Sequence, residues 1–331
     1  MTDDMPKRNG ASTDVLVRAV EAAGQAPSVH NTQPWHWRGG PDRLELSAVG
    51  ERQLEGSDPH RRLLLVSCGI ALHHARLVLA AEGVAVVVDR LPAEGDSELL
   101  ARLVVTGSAT PAAEAAQLVR CIPERHTDRR PVADQEVPAA ALDAITAAAR
   151  AEGGRLHLLR DDQVLDLAAT AATAGTVGAA DPQLADELRY WTGQAVAKGT
   201  GLPPGVLPDR MPASTVPARD FGRPGTLSVG AGHDRAARYA LLYGDDDEPD
   251  NWLRAGEALS AAWLTATDQG VSLVPMSGVV EVSATRQVLR RALANVGHPY
   301  LAMRLGMPDP AHAGPPPRTP RLPTDQIMDT D

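Results

Sequence analysis

A series of helical and strand-type segments runs to about residue 122, and a second series begins just after it. In the first, residues 14–25 carry apolar side chains at helical spacing, with Thr13 placed to cap the start and Gly24 and Pro27 to stop it. Strand-type segments at 35–38 and 44–49 precede a long apolar helix over 62–82, which Gly83 terminates. The run 84–89 predicts a strand of the buried type, 99–106 a further strand and 111–119 a helix. The second series predicts helices over 138–152, 161–175 and 183–197, with a short strand at 156–159. It continues with a strand at 239–243, a helix at 252–269, a strand at 271–275, a helix at 284–294 and a strand at 300–305. Alternation of this kind indicates an α/β or α+β sandwich. Two stretches fall outside the pattern. Residues 199–234 are thick with Gly and Pro, too irregular for a regular element and too long for a simple connector, which marks a lid, a binding loop or disorder. From Pro308 the chain reads as an extended, Pro-rich tail.

Composition narrows what such a sandwich can contain. Aromatic residues make up 3%, with a single Phe, so the core must rest on Ala, Leu and Val. The formal net charge of -10 disfavours nucleic acid and anionic membrane as general partners, because the long-range field repels both. A small phosphate ligand is still admissible, since it responds to a local cluster of donors. Only Lys7 and Lys198 are lysines among the 32 basic residues, so an arginine by itself says little about function. Cys68 and Cys121 cannot build a disulfide framework and lack metal-site spacing. The first ten residues carry no apolar signal region, and no run of about 18 apolar residues is apparent, which makes the cytoplasm the default compartment.

The most informative segment is APSVHNTQPW at 26–35, between a helix end and a strand. There backbone N–H groups and short polar side chains are free to face a ligand. Ser28 and Asn31 offer neutral hydrogen bonds, while Pro27 and Pro34 fix the backbone between them. A second segment, ERHTDRR at 124–130, points Arg125, Thr127 and Arg129 to one side if it is extended. Two guanidinium groups would then flank a hydroxyl, an arrangement suited to a phosphate or to the polar edge of a flavin. His126 between them either contacts the ring edge or packs. A third, GVSLVPMSG at 270–278, is a strand running into a Gly turn, and Arg318 and Arg321 stand in the extended tail. No Walker loop, G-x-G-x-x-G, HExxH or Ser-centred elbow is present, and the adjacent His73 and His74 diverge by about 100° on a helix. Trp252 and Trp263 lie at core spacing on the 252–269 helix.

The segment at 27–35 resembles the PSxxNxQPW signature of the nitroreductase superfamily, in which it lines FMN from the neighbouring subunit. The segment at 124–130 is similar to that family's Arg-x-Ser/Thr-x-Arg/Lys stretch, which holds the FMN phosphate and the pyrimidine edge. Residues 270–278 resemble the strand and loop that pass flavin N5, and Arg318 with Arg321 the C-terminal basic pair at the phosphate. In typical members the Arg stretch comes first, in a shorter chain that dimerises. The reversed order here is similar to the Acg-type branch, whose members look like a nitroreductase dimer fused into one chain.

The resemblance implies an α+β fold, a nitroreductase-like α/β/α sandwich with two related halves. The first half would be 1–122, and the second 123–331 with a lid at 199–234 and the extended tail. It implies FMN held by Pro27, Ser28, Asn31, Gln33, Arg125, His126, Thr127, Arg129, Pro275, Met276, Ser277, Gly278, Arg318 and Arg321. Arg129, where the family commonly has a lysine, would tune the ring. With no second PSxxNxQPW, one FMN per chain follows. The implied activity is an FMN-dependent NAD(P)H oxidoreductase that reduces nitroaromatics or quinones by hydride transfer at N5, without a catalytic protein nucleophile. The alternative is an FMN-binding or storage protein whose lid occludes the flavin. An internal pseudo-dimer makes a monomer self-sufficient and leaves further dimerisation open.

Overall fold

The computed structural model describes residues 13–92, 98–193, 196–312 and 314–330. The first half contributes α1 (Thr13–Gly24), β1 (Trp35–Gly39), β2 (Arg43–Ala48), α2 (Arg62–Ala81), β3 (Val84–Arg90), β4 (Leu99–Ser108) and α3 (Ala113–Cys121). The second contributes α4 (Ala139–Ala151), β5 (Arg155–Leu158), α5 (Asp161–Ala180), α6 (Pro182–Thr192), β6 (Arg238–Gly244) and α7 (Pro249–Asp268). It ends with β7 (Ser272–Met276), α8 (Gly278–Glu281), α9 (Ser283–Ala292), β8 (His298–Gly306) and β9 (Met328–Thr330). One sheet has the order β3-β4-β2-β1-β9, and the other, read from its far edge, β7-β8-β6-β5. Leaving β9 aside, both halves follow one plan: a helix, two strands, a long central helix, two more strands. Insertions distinguish the second half. Helices α5 and α6 and the 199–234 segment lie between β5 and β6, where the first half has only a tight hairpin.

The central helices α2 and α7 make the most extensive contact in the molecule. Helix α2 is apolar on every side and buried from Leu63 through Ala75 and again over Leu77, Val78 and Leu79, as a helix enclosed by protein must be. By length and composition it could cross a membrane, but most of it is packed inside the protein. The two helices cross where Gly69 faces Gly256. A Cβ on Gly69 would overlap the Leu253 carbonyl oxygen, and one on Gly256 would overlap that of Val66. Each glycine thus meets the residue three positions before the other, as in a two-fold symmetric interface. Close by, His73 Nδ1 lies 2.9 Å from Ser260 Oγ, two residues separated by the same 187 positions as the glycines.

Glu257 of α7 is fully buried and takes Arg76 of α2 at 2.5 Å and Arg90 of β3 at 2.7 Å. Arg76 also holds Glu152, at the end of α4, at 2.6 Å. A carboxylate this deep persists only with such partners. Burial opposes ionisation of Glu152, but His73 and Arg76 outweigh it and hold its carboxyl down at about 2.

Several expectations are corrected. Strand β3 is not of the buried type; it forms a sheet edge, and Val87 is 59% exposed. A continuous apolar run reads as buried because periodicity carries no information about what covers each face. Helix α5 continues through Gly175 and Gly178 to Ala180, and Asp181 then caps α6 by accepting from Gln183 N and Leu184 N, with Pro182 in the first turn. Helix α6 stops at Thr192, and positions 194–195 of the stretch predicted as helix lie outside the described residues. The predicted 284–294 helix is α9, and the short α8 just before it was not anticipated. The tail does not run free. Residues 314–330 return to the first half, where β9 pairs in parallel with β1 and Trp37 N donates to Ile327 O at 2.8 Å. Leu322, Ile327 and Met328 are buried in the core.

Replacing Gly256 with Ala should destabilise the fold by about 3 kcal/mol in urea unfolding, because neither backbone can withdraw from the added methyl. Glu152 has a depressed folded-state pKa, so its contribution is present above the ordinary carboxylate range and is lost as pH falls from about 4.5 toward 2. E152Q should flatten the acid limb of a stability–pH profile over that interval.

Candidate functional site

A cavity of about 840 Å³ opens between the halves, within the roughly 300–1,000 Å³ typical of cofactor and small-molecule sites. Helix α2 gives it one wall through Leu63, Val66, Ser67 and Ile70, which share a helical face, and α7 gives Leu259 and Trp263. Pro27, Ser28, Asn31, Arg125, His126, Thr127, Arg129, Pro275, Met276, Ser277, Gly278, Arg318 and Arg321 all border this one space. Gln33 does not.

The turn before β1 is strained. His30, Asn31 and Gln33 have φ of 51°, 58° and 51°, in the left-handed region that costs non-glycine residues about 1 kcal/mol or more each. Hydrogen bonds from distant segments over-determine it. Gln33 N donates to Ser28 Oγ at 2.8 Å, and Arg52 Nη1 donates to Gln33 O at 2.8 Å. The Gln33 side chain donates to Gly199 O at 2.7 Å and accepts from Leu322 N at 3.0 Å. Asn31 Nδ2 donates to Gly201 O at 3.1 Å and Pro320 O at 2.9 Å, while its Oδ1 accepts from Arg321 Nη1 at 3.0 Å. Gln33 and Asn31 therefore clamp the turn to the tail and to the start of the 199–234 segment. Among the described residues the Ser28 hydroxyl accepts from Gln33 N and donates to no partner.

Residues 125–130 alternate as extended backbone should. Arg125, Thr127 and Arg129 face the cavity. Asp128 and Arg130 turn inward and pair at 2.7 Å. Arg304 of β8 pins the segment by donating to Asp128 O at 2.7 Å and Arg130 O at 2.9 Å, and is itself paired with buried Asp234 at 2.6 Å. His126 is half-buried at the rim, its Nδ1 2.8 Å from Glu124 O.

The arginines of the cavity form two groups by the charges they feel. Arg125 lies over the Trp263 ring at 4.4 Å; burial, with Arg321 and Arg318 nearby, lowers its pKa to about 9. Burial and Arg318 likewise bring Arg321 down to about 10. Among the described residues none of these three has an ion-pair partner, and the Nε of both Arg125 and Arg321 is buried without a hydrogen bond. Arg125 and Arg321, like charges each with an orphaned buried donor, are costly unless an anion joins them. In the second group, burial lowers Arg129 to about 10, with Arg219 adding to the effect. Arg129 donates to Val206 O at 3.1 Å and lies over Phe221. Arg219 meets Glu281 at 2.5 Å, and Glu281 also accepts from Ser277 Oγ at 2.9 Å. His30 also borders the cavity, its pKa held well below the ordinary value by burial first, then by Arg219 and Arg129.

Arg219, Phe221, Glu281 and the cavity-facing edge of Trp263 escaped the sequence reading. An arginine in a Gly/Pro-rich stretch carries no periodic signal, and Trp263 has the spacing of a core residue and is in fact only 2% exposed. Among the described residues no group of three His, Cys, Asp or Glu is arranged to hold a metal ion. The 187-residue internal shift carries Ile70 to Glu257 and Trp263 to Arg76. The counterpart of this cavity wall is therefore occupied by the Arg76–Glu257–Arg90 ion pairs. Q33L should lower stability by about 2 kcal/mol in urea unfolding, because Leu322 N and Gly199 O lose their partner in the interior.

No family model matches the chain. A Mycobacterium tuberculosis protein, Rv3131, which carries a provisional NAD(P)H nitroreductase name, is 37% identical over 320 residues, 95% of this chain and 90% of its own length. Acg of the same organism, with the same provisional name, is 30% identical over 329 residues, 96% of each chain. A nitroreductase with bound FMN from Desulfitobacterium hafniense DCB-2 aligns at a TM-score of 0.40 and 13% identity over 65% of this chain and 98% of its own. Identity to Rv3131 and Acg along almost the whole length shows that the chain belongs to the NAD(P)H nitroreductase family, in the branch that includes Acg, with an α+β sandwich of two related halves.

Proposed function

We propose that the cavity holds one FMN and that the protein is an NAD(P)H-dependent oxidoreductase acting on small electron-poor acceptors, nitroaromatics and quinones. The observation that carries this reading is the group of Arg125, Arg318 and Arg321, without carboxylate partners among the described residues and with two orphaned Nε atoms, at one side of a space of about 840 Å³. Such a group suits a phosphate monoester. Arg129, Thr127 and the Ser28 hydroxyl would meet the polar edge of the ring, and the backbone of Met276–Gly278 its reactive side. When bound, FMN supplies the hydride-transfer chemistry, and the protein supplies placement and electrostatics.

The chain's own contribution is of two kinds. Arg129 places a fixed positive charge where the reduced ring system would gather negative charge, which favours reduction. The apolar walls from α2 and α7 exclude water, and the low dielectric strengthens each of these contacts. Because residues 27–33 come from the first half and 125–129, 275–278 and 318–321 from the second, one chain completes the site. On this reading the halves are 1–122 and 123–331, and a monomer suffices.

A second reading has its own support. Leu202, Val206, Pro217, Arg219 and Phe221 of the 199–234 segment border the cavity, and the Arg129–Val206 and Arg219–Glu281 contacts tie that segment down. A closed lid would turn the same site into an FMN-storage site. Purified protein should be yellow with one FMN per chain, and NADPH should bleach it without oxygen. Flavin that is bound and never bleached favours storage; deletion of 205–225 should then restore bleaching. R125Q combined with R321Q should reduce FMN content at least about ten-fold, as expected for losing charged hydrogen bonds to a phosphate.

A further inference from the structure

The two arginine groups call for two anions. A phosphate monoester accounts for Arg125, Arg318 and Arg321. The second group keeps a surplus: Arg129 and Arg219 carry two positive charges and Glu281 one negative charge, Asp128, which also acts on Arg129, is paired with Arg130, and His30 is neutral through burial. Among the described residues Arg219 is held by a single contact, Nη1 to Glu281 at 2.5 Å, and it borders the cavity with its side chain 27% exposed. A guanidinium has five N–H donors in a fixed fork, so most of its binding capacity is unspent. It also stands beside the loop expected to carry the chemistry, since a Cβ on Gly278 would lie 3.8 Å from Arg219 Nη1. Helix α5 packs on α8, which carries Glu281, and lines the cavity with Ala171, Ala174, Gly175 and Gly178 from one helical face. Those residues project little into the space, which leaves room for a flat group beside Arg219.

We propose that Arg219 is the specificity-determining residue for the acceptor: it binds an anionic oxygen, and the cavity thereby selects planar aromatic molecules that bear a carboxylate. This rests on the reading of the cavity as the catalytic site. Glu281 acts as a positioning residue, holding the Arg219 guanidinium over the 276–278 loop while competing with the incoming carboxylate for it.

Titration calorimetry with benzoate and with its neutral counterpart benzamide tests the proposal on the protein as purified. Benzoate should bind at least about ten-fold more tightly, the worth of one charged hydrogen bond. R219Q should abolish that preference while leaving benzamide affinity within about two-fold, and R219K should retain part of it. E281Q removes the competitor and should tighten benzoate several-fold. Equal affinities for the two probes in the unaltered protein, or equal losses for both in R219Q, would overturn the proposal. Should R219Q fail to fold, R219K and E281Q make opposite predictions and decide alone. Flavin absorbance of the same samples separates the two readings. Colourless protein refutes the FMN assignment, whereas yellow protein without a benzoate preference refutes only the role of Arg219.

Discussion

Backbone contact between α2 and α7 at Gly69 and Gly256 sets the rest of the molecule in place. Two helices that meet without side chains between them fix the separation and relative orientation of the halves, and with them the width of the gap that becomes the cavity. The contact is reciprocal, each glycine meeting the carbonyl three residues before the other, so the internal two-fold relation is built into the core. That relation is broken at the ligand level. On one side of the crossing Ile70 and Trp263 wall a cavity; on the other their counterparts Glu257 and Arg76 close on each other as an ion pair. A lone charge there would be costly, and the space is filled by a network whose members satisfy one another.

Strain and like-charge repulsion gather around the cavity, and both are balanced by structure elsewhere. The left-handed residues of the turn before β1 hold their conformation because the tail and the 199–234 segment bond to them through Gln33 and Asn31. Arg304, buried and paired with Asp234, does the same for the 125–130 segment. The C-terminal strand couples these tasks. In returning to pair with β1 it carries Arg318 and Arg321 past the turn, so sheet formation in the first half and assembly of the arginine group are one event.

The helices and central strands were legible because each buries a face whose period the sequence repeats, and the deviations have physical causes. Edge strand β3 looked buried because Val after Val carries the same message in the centre or at the rim of a sheet. Strand β9 is three residues long and finds its partner nearly 300 positions earlier, a pairing that local pattern cannot reveal. Within the site, the side chains recognised by motif converge on one space, except for Gln33, whose amide is consumed by backbone groups. Arg219 and Glu281 had no motif to announce them.

Sequence alone determined the two-series plan, the approximate positions of the longer helices, and the local chemistry of the 27–35, 125–129 and 275–278 segments, because these depend on neighbours a few residues apart. Tertiary structure decided which arginines lack a counter-charge, which of two related spaces stays open, and where the tail ends. Those outcomes depend on burial and on partners brought together across the whole chain. Desolvation of a charge is a property of everything packed around it, and no short stretch of sequence contains that information.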